Sequence, residues 1–202
     1  QRVYAMVRAI EEAPIRGVEE IIPSYRSILI AYDPLVVGFK DLTYQVKSIE
    51  KNLSRGKILE HRRVEIPTLY GGKFGPDLDF VASLHGLTPE EVVRIHTSQD
   101  YLVYMLGFTP GFPYLGNLEE IATPRLKTPR IKVPAGSVGI AENQTGIYPI
   151  ESPGGWQIIG RTPLKLFNPL RPPHFLLAAG DMVRFIPIDD RRYAELSNHG
   201  NP

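Results

Sequence analysis

The sequence predicts an α+β fold of two domains, a small split βαβ sandwich followed by a β-barrel. Three observations predict this fold. Helical and strand-like patterns alternate over residues 2–67. A glycine-rich turn cluster interrupts the chain at 71–76. Most of the 18 glycines and 19 prolines lie after residue 105, where short β-prone runs alternate with turn residues, as in small barrels.

The N-terminal domain is expected to span residues 1–70. Its apolar residues recur at three- and four-residue steps over 2–12 and 41–53, which predicts two amphipathic helices. Because the helical spacing is present from the first residues, we expect a preceding segment that carries a further strand. The β-prone runs predict strands at 17–23, 27–32 and 63–67.

The barrel domain is expected over residues 71–190, with a polar tail at 191–202. It is expected to open with a helix at 77–84, capped by Asp77. A second helix at 88–98 begins with Thr-Pro-Glu-Glu, a strong helix-start signal. Strand-like runs follow at 101–106, 137–141, 145–150, 156–160 and 182–186.

Charge and residue content argue against several protein classes. Lys and Arg total 23 against 22 Asp and Glu, and this formal net charge of +1 argues against nucleic acid or an anionic membrane as the main partner. The sequence has no run of about 18 apolar residues that would span a membrane. It has no cysteine, which excludes disulfides, thiolate metal sites and a cysteine nucleophile. No secretory signal is visible, so we expect a cytoplasmic protein.

Common catalytic and cofactor motifs are also absent from the sequence. It contains no GxxxxGKS/T phosphate loop, so another chain is expected to bind ATP if ATP is used. The five histidines lack zinc-site spacing, and no metal site is expected. There is no G-x-S-x-G nucleophile elbow. His96, near the end of the second barrel helix, is a candidate general base because imidazole titrates near neutrality; a packing or helix-dipole role is the alternative.

The segment 107–116 concentrates three aromatic residues among glycines and prolines. A rigid loop with apolar faces suits a ligand pocket or a partner surface, and the alternative is a barrel corner that packs its own aromatics. Two tandem units, Thr-Pro-Arg-Leu-Lys and Thr-Pro-Arg-Ile-Lys, follow at 123–132. Their prolines predict an extended strap that presents Arg125 and Arg130.

Several segments of the chain together resemble a known family. The motifs are YGG at 70–72, GFTPGFPYLG at 107–116, the two Pro-Arg pairs of the strap, VPAGSVGI at 133–140, QTGIYP at 144–149, SPGGWQ at 152–157 and GRTP at 160–163. In this order they closely resemble the carboxyltransferase subdomain C family, also called the allophanate hydrolase subunit 1 family. The resemblance covers residues 15–188, and Lys73 departs from the Glu that often follows Tyr-Gly-Gly in the family.

The resemblance implies both a fold and an activity. The fold is a small α/β domain followed by a cyclophilin-like β-barrel. Most prokaryotic members resemble the B subunit of an ATP-dependent 5-oxoprolinase, which opens 5-oxo-L-proline to L-glutamate with the A and C subunits, and no cofactor is expected on this chain itself. The alternatives are a KipI-like inhibitor of a sensor histidine kinase and a subunit associated with urea carboxylase or allophanate hydrolase. The barrel fold alone also suggests a prolyl isomerase, but a fold does not establish a function.

The candidate site residues lie in or near the resembling motifs. The candidate catalytic residues are His96, Arg130 and Arg161. The candidate substrate- or partner-binding residues are Phe112, Tyr114, Gln144, Tyr148 and Trp156. Arginine offers paired N–H donors for a carboxylate or a phosphorylated intermediate, and the aromatic side chains offer flat apolar walls. We expect these residues, apart from the histidine, to converge on one concave face of the barrel.

Overall fold

The structure, a computed structural model, describes residues 2–53 and 61–198. It divides into two units, residues 1–61 and 62–202. The N-terminal unit contains, in chain order, α1 (Arg2–Glu12), β1 (Val18–Pro23), β2 (Ile28–Tyr32) and α2 (Phe39–Asn52). β1 and β2 pair as an antiparallel hairpin. Met6 and Ile10 of α1 and Leu42 of α2 are buried in a small core with it, as the helical spacing predicts.

The second unit is built mainly from strands. In chain order it contains β3 (Arg63–Tyr70), α3 (Leu78–His85), α4 (Pro89–Thr97), β4 (Tyr101–Leu106), β5 (Pro113–Leu115), β6 (Arg130–Val133), β7 (Ser137–Ala141), β8 (Gln144–Ile147), β9 (Ser152–Gly154), β10 (Gln157–Arg161), β11 (Met182–Pro187) and α5 (Asp190–Asn198). None of the helices in the described ranges is long and apolar enough to cross a membrane.

A closed barrel forms the centre of this unit. Its strands follow the order β10-β3-β11-β4-β5-β8-β7. β3 runs parallel to β11, and the other neighbouring strands are antiparallel. The main core includes Ile66, Val138, Ile159 and Phe185, each without exposed surface. The α+β class with a β-barrel is therefore confirmed.

The end of the strap, strand β6, forms a separate two-stranded β-ribbon with β9. β6 and β9 pair with each other and with no barrel strand in the described part of the chain. In the preceding part of the strap, the Leu126 N–H donates to Gly155 O at 2.8 Å and Gln157 Nε2 donates to Pro124 O at 3.0 Å, and a bend at residues 127–128 interrupts the extended course that the prolines predict. The strap therefore crosses the segment between β9 and β10.

The boundary expected between residues 70 and 71 is wrong, because β3 belongs to the barrel. Residues 63–68 of β3 pair with the whole of β11, from Arg63 opposite Met182 to Thr68 opposite Pro187. The other end of β3 pairs with β10. The glycine cluster at 71–76 is instead a turn inside the barrel unit, in which the Gly71 N–H donates to Ile159 O at 3.0 Å.

The tail expected at 191–202 is helical over the part that the structure describes. Asp189 Oδ1 accepts the Arg192 N–H at 2.7 Å, which is a helix-start contact for α5. The Tyr193 ring lies 4.7 Å from the Phe74 ring, so α5 packs on the turn after β3. The sequence did not predict this helix because the segment is polar and α5 buries none of its residues.

The two predicted helix starts have different outcomes. Thr88 forms a complete capping box with Glu91: the Glu91 N–H donates to Thr88 Oγ1 at 3.2 Å, and the Thr88 N–H donates to Glu91 Oε2 at 2.8 Å. Asp77 stands at the N-cap position of α3, but its side chain makes no capping hydrogen bond. Its carboxylate has other partners, which bear on the candidate site.

Candidate functional site

Four of the predicted binding residues meet in one aromatic cluster, Phe112, Tyr114, Tyr148 and Trp156. Phe112 lies at its centre, with ring-centroid distances of 5.0 Å to Tyr114, 5.2 Å to Tyr148 and 5.3 Å to Trp156. The contacts with Tyr148 and Trp156 are edge-to-face, the arrangement that aromatic quadrupoles favour. These four of the residues expected to share a concave face therefore lie in contact with one another.

Most of the aromatic cluster is a packed core and does not line an open pocket. Phe112 and Tyr148 are 1% exposed and Trp156 is 5% exposed. Val133 of β6 and Ile158 of β10 pack with them, so the cluster fills the space beside the β6–β9 ribbon. Within the 107–116 loop, the interpretation as a corner that packs its own aromatics therefore fits Phe112.

A glycine in the QTGIYP motif makes this packing possible. A Cβ at Gly146 would lie 2.9 Å from both Phe112 Cζ and Trp156 Cζ3, closer than carbon atoms pack. Gly146 pairs with Tyr114 across β8 and β5, so the backbone here forms the floor under the rings. The motif thus encodes space for the cluster.

The accessible edge of the cluster consists of Phe108, Tyr114 and Arg125, which we call the rim. Phe108 is 63% exposed and contacts the Phe112 and Tyr148 rings at 5.7 and 6.5 Å. Its φ of +65° is rare for a bulky side chain, and such backbone strain is concentrated at functional sites. The exposed Arg125 places its Cζ 5.9 Å from the Trp156 ring, within cation–π range.

Two rim residues, Phe108 and Arg125, were not among the candidates from sequence. Phe108 belongs to the aromatic segment that drew attention to the site, but no local signal separates its exposed ring from the buried Phe112. Arg125 was expected on the strap, yet the repeat makes it equivalent to Arg130 in sequence. Only the partners of each arginine distinguish them.

Arg130 is held by a structural ion pair. Its Nη2 donates to Asp77 Oδ1 at 2.6 Å, and its Nη1 donates to Trp156 O at 3.3 Å. The other carboxylate oxygen of Asp77 accepts the Ile158 N–H at 2.6 Å. Arg130 therefore links β6 to the start of α3 and to β10, and its charge is already neutralised within the fold.

Arg161 lies in a different environment from the aromatic cluster. Its Cζ is 5.3 Å from the Phe74 ring, and Lys73 Nζ approaches the same ring at 5.0 Å. Its Nε is enclosed and has no hydrogen-bond acceptor among the described residues. Burial raises the pKa of Tyr193, and the neighbouring Arg161 opposes this rise. The described contacts do not connect Arg161 to the cluster.

Gln144 is also not shown to belong to the cluster. It begins β8 and pairs with Ala141 at the β7–β8 turn, where it is half-buried. No contact in the described ranges brings its side chain to the aromatic rings. No contact in the described ranges joins Arg161 or Gln144 to the aromatic rings, and the expectation that they share one concave face with the cluster stays a prediction.

His96 is enclosed in the barrel unit with both ring nitrogens engaged. Its Nδ1 lies 2.8 Å from Tyr70 Oη, and its Nε2 lies 2.8 Å from Thr145 Oγ1. Because Thr145 Oγ1 donates to Gly139 O at 3.0 Å, Nε2–H is the donor to Thr145 and Nδ1 accepts from Tyr70.

Burial keeps this histidine neutral. It lowers the pKa of His96 to about 3 and raises the pKa of Tyr70 well above its usual range. A general base needs a free, accessible nitrogen and a pKa near the working pH. The geometry of His96 therefore favours the packing interpretation over the catalytic one.

The rim is the part of the cluster that combines charge with accessibility. Burial raises the pKa values of Tyr114 and Tyr148, and the positive charge of Arg125 opposes both rises. Both phenols remain protonated at neutral pH and can donate hydrogen bonds. No group of three or more His, Asp or Glu residues suited to a metal ion occurs in the described ranges. The arrangement can bind an anion or a polar, flat group.

Comparison with known families shows which family this chain resembles along its length. A family model described as carboxyltransferase domain, subdomain C and D, matches residues 1–177. The chain belongs to this family. The match covers the N-terminal unit and every strand of the barrel unit except β11, so it includes the aromatic cluster and its rim.

Individual relatives are similar over most of the chain. The 5-oxoprolinase B subunit of Bacillus subtilis is 47% identical over 98% of this chain and 88% of that protein. The 5-oxoprolinase B subunit of Escherichia coli O157:H7 is 57% identical over 63% of this chain and 59% of that protein. A crystal structure of a conserved uncharacterized protein from Pyrococcus horikoshii has 48% identity and a TM-score of 0.64, and the match covers 95% of this chain and 88% of that one.

Proposed function

We propose that this chain is the B subunit of an ATP-dependent 5-oxoprolinase, which opens 5-oxo-L-proline to L-glutamate together with the A and C subunits. The observation that carries the proposal is the 47% identity with the 5-oxoprolinase B subunit of Bacillus subtilis, which extends over 98% of this chain. Such similarity across nearly the whole chain includes every candidate site residue.

The chemistry of the reaction calls for partner subunits. Opening the lactam adds water to the ring carbonyl and breaks the C–N bond, and the released nitrogen becomes the amine of glutamate. ATP hydrolysis supplies the driving force, and donors must stabilise the charge that develops on the carbonyl oxygen. The sequence has no phosphate loop and no G-x-S-x-G nucleophile elbow. This chain supplies part of a site, and its partners bind ATP and complete it.

The rim is the part of this chain that we assign to substrate or partner contact. Arg125 supplies a positive charge, Tyr114 a hydroxyl and Phe108 an apolar surface, while the buried rings fix their positions. Arg161 remains a candidate cation for a carboxylate or a phosphorylated intermediate, at a separate place beside Phe74. Arg130 is assigned to the scaffold because it forms an ion pair with Asp77.

Reconstitution of the complex tests this function. The A and C subunits are purified with and without this chain, and glutamate formation from 5-oxo-L-proline is measured with and without ATP. We expect turnover only when all subunits and ATP are present, and no hydrolysis of 5-oxoproline or ATP by this chain alone.

Two parallel assays address the alternative functions. Urea replaces 5-oxoproline in the first, and autophosphorylation of a sensor histidine kinase is followed with added chain in the second. Full turnover by the A and C subunits without this chain, or kinase inhibition in the absence of 5-oxoprolinase activity, would contradict the proposal.

A further inference from the structure

The two arginines of the tandem repeat differ in their interaction partners. Arg130 donates to a carboxylate and a backbone carbonyl. Arg125 is exposed, and within the described ranges it has neither a carboxylate partner nor a hydrogen-bond acceptor. A guanidinium that the fold leaves without an anion is available to bind one from outside.

The backbone around Arg125 is fixed on both sides. The carbonyl of Pro124 accepts from Gln157 Nε2 at 3.0 Å, and the N–H of Leu126 donates to Gly155 O at 2.8 Å. Gln157 is 3% exposed, so its amide is a rigid anchor. The side chain of Arg125 therefore leaves a well-positioned backbone, which lowers the entropy lost when it binds a ligand.

Tyr114 shares the same indole with Arg125. Its ring centroid lies 6.1 Å from that of Trp156, and Arg125 Cζ lies 5.9 Å from the indole. The Tyr114 hydroxyl has no hydrogen-bond partner among residues 2–53 and 61–198, and it is not enclosed. A guanidinium and a phenol beside one ring offer N–H and O–H donors to the same anion.

We propose that Arg125 and Tyr114 bind the carboxylate of a small-molecule ligand at the rim of the aromatic cluster. This proposal rests on the proposed function, and the ligand is then the carboxylate of 5-oxo-L-proline. A planar carboxylate matches the guanidinium fork, and the phenol adds a further donor. The same chemistry is available from an acidic side chain of a partner subunit, so the experiment separates these two sources.

The chain carries its own reporter for this site. Trp156 is the sole tryptophan of the sequence, and its ring lies close to both proposed ligand-binding side chains. Its fluorescence is titrated in the purified chain with 5-oxo-L-proline and with 2-pyrrolidinone, the same lactam without a carboxylate. We expect a saturable response to 5-oxo-L-proline and none to 2-pyrrolidinone.

Variants at the rim give the expected sizes of the effects. Arg125→Ala is expected to weaken 5-oxo-L-proline binding and raise its KM in the reconstituted complex by about tenfold or more, since one charge-assisted contact is lost. Tyr114→Phe is expected to raise both by about threefold, as for one neutral hydrogen bond. Arg94→Ala, at an exposed arginine of α4, is the matched control and should leave both unchanged.

The outcomes separate this proposal from the proposed function. A KM within twofold of the unmodified complex for Arg125→Ala, with active complex, overturns the carboxylate site and leaves the function intact. Salt-sensitive loss of complex assembly in Arg125→Ala, without any response of the free chain to 5-oxo-L-proline, assigns the carboxylate to a partner subunit and also overturns it. A complex that has no 5-oxoprolinase activity, with a chain that still binds 5-oxo-L-proline through Arg125, overturns only the function.

Discussion

Asp77 binds Arg130 through one carboxylate oxygen and the Ile158 N–H through the other, each at 2.6 Å. The Asp77 side chain is 12% exposed and that of Arg130 is 31% exposed, so the pair is largely shielded from water. This carboxylate joins the start of α3, the strand β6 and the strand β10. The relationship explains why the second arginine of the repeat belongs to the scaffold.

Loss of this ion pair should lower stability. We expect Arg130→Ala and Asp77→Asn each to reduce the free energy of unfolding by about 1–3 kcal/mol, because each leaves a shielded charge or backbone donor without its partner. Urea denaturation measures the change, and Arg94→Ala is the control. The double variant should cost less than the sum of the single ones.

The contrary result for Arg130 is well defined. If Arg130→Ala keeps the free energy of unfolding within about 0.5 kcal/mol while turnover of the reconstituted complex falls tenfold, Arg130 binds substrate and the scaffold assignment is wrong.

The buried His96 predicts a pH dependence of stability. Burial lowers its pKa from 6.5 to about 3, so the unfolded chain binds a proton in this interval that the folded chain excludes. The contribution is fully present above pH 6.5 and is lost as the pH falls towards 3. Between pH 7 and pH 5 the loss from this residue approaches about 2 kcal/mol.

Denaturation at several pH values tests this prediction. Unmodified chain and His96→Gln are unfolded with urea from pH 7 down to pH 5, above the range where most carboxylates titrate. We expect a smaller loss of stability in His96→Gln over this interval. Parallel curves for the two proteins would show that His96 is protonated in the folded state, against its enclosed hydrogen bonds to Tyr70 and Thr145.

Local patterns in the sequence predicted the elements but not all their pairings. Helical spacing and the Thr88 capping signal predicted α1, α2 and α4. The strands β5, β6 and β9 were missed, since they are three or four residues long and contain or adjoin proline and glycine. The place of β3 in the barrel depends on a parallel pairing with β11, more than a hundred residues later, which no local pattern encodes.

The candidate site was predictable as a region more than as a set of roles. The aromatic and glycine motifs predicted the cluster, because rings and close backbone approach are both specified locally. The role of each residue depends on partners that are distant in the sequence. Asp77 accepts a hydrogen bond from Arg130, 53 residues away, and Thr145 is hydrogen-bonded to His96, 49 residues away. Arg125 could be distinguished from Arg130 only in the structure, where Arg130 is paired with Asp77 and Arg125 is exposed.

Gly146 should be intolerant of a methyl group. In Gly146→Ala the new Cβ would meet Phe112 and Trp156 at 2.9 Å, and overpacking of this kind costs about 1–3 kcal/mol. The Trp156 emission spectrum should shift because the indole must move. Gly72→Ala is not a suitable comparison, since its φ of +52° adds backbone strain of its own. Gly155→Ala, where the nearest atom would be 3.7 Å away, is the matched control and should fold with an unchanged spectrum.

Arg161 should show the opposite behaviour to Arg130. Its guanidinium lies over Phe74 beside Lys73, and within the described ranges no carboxylate pairs with it. Arg161→Ala therefore leaves no buried anion without a partner, and we expect the free energy of unfolding to change by less than about 1 kcal/mol.

If Arg161 holds a carboxylate or a phosphorylated intermediate, turnover of the reconstituted complex should fall about tenfold or more in Arg161→Ala. Arg161→Lys, which keeps the charge but loses the planar fork, should recover only part of this activity. A loss of stability without a specific loss of turnover would assign Arg161 to packing against Phe74 and remove it from the candidate site.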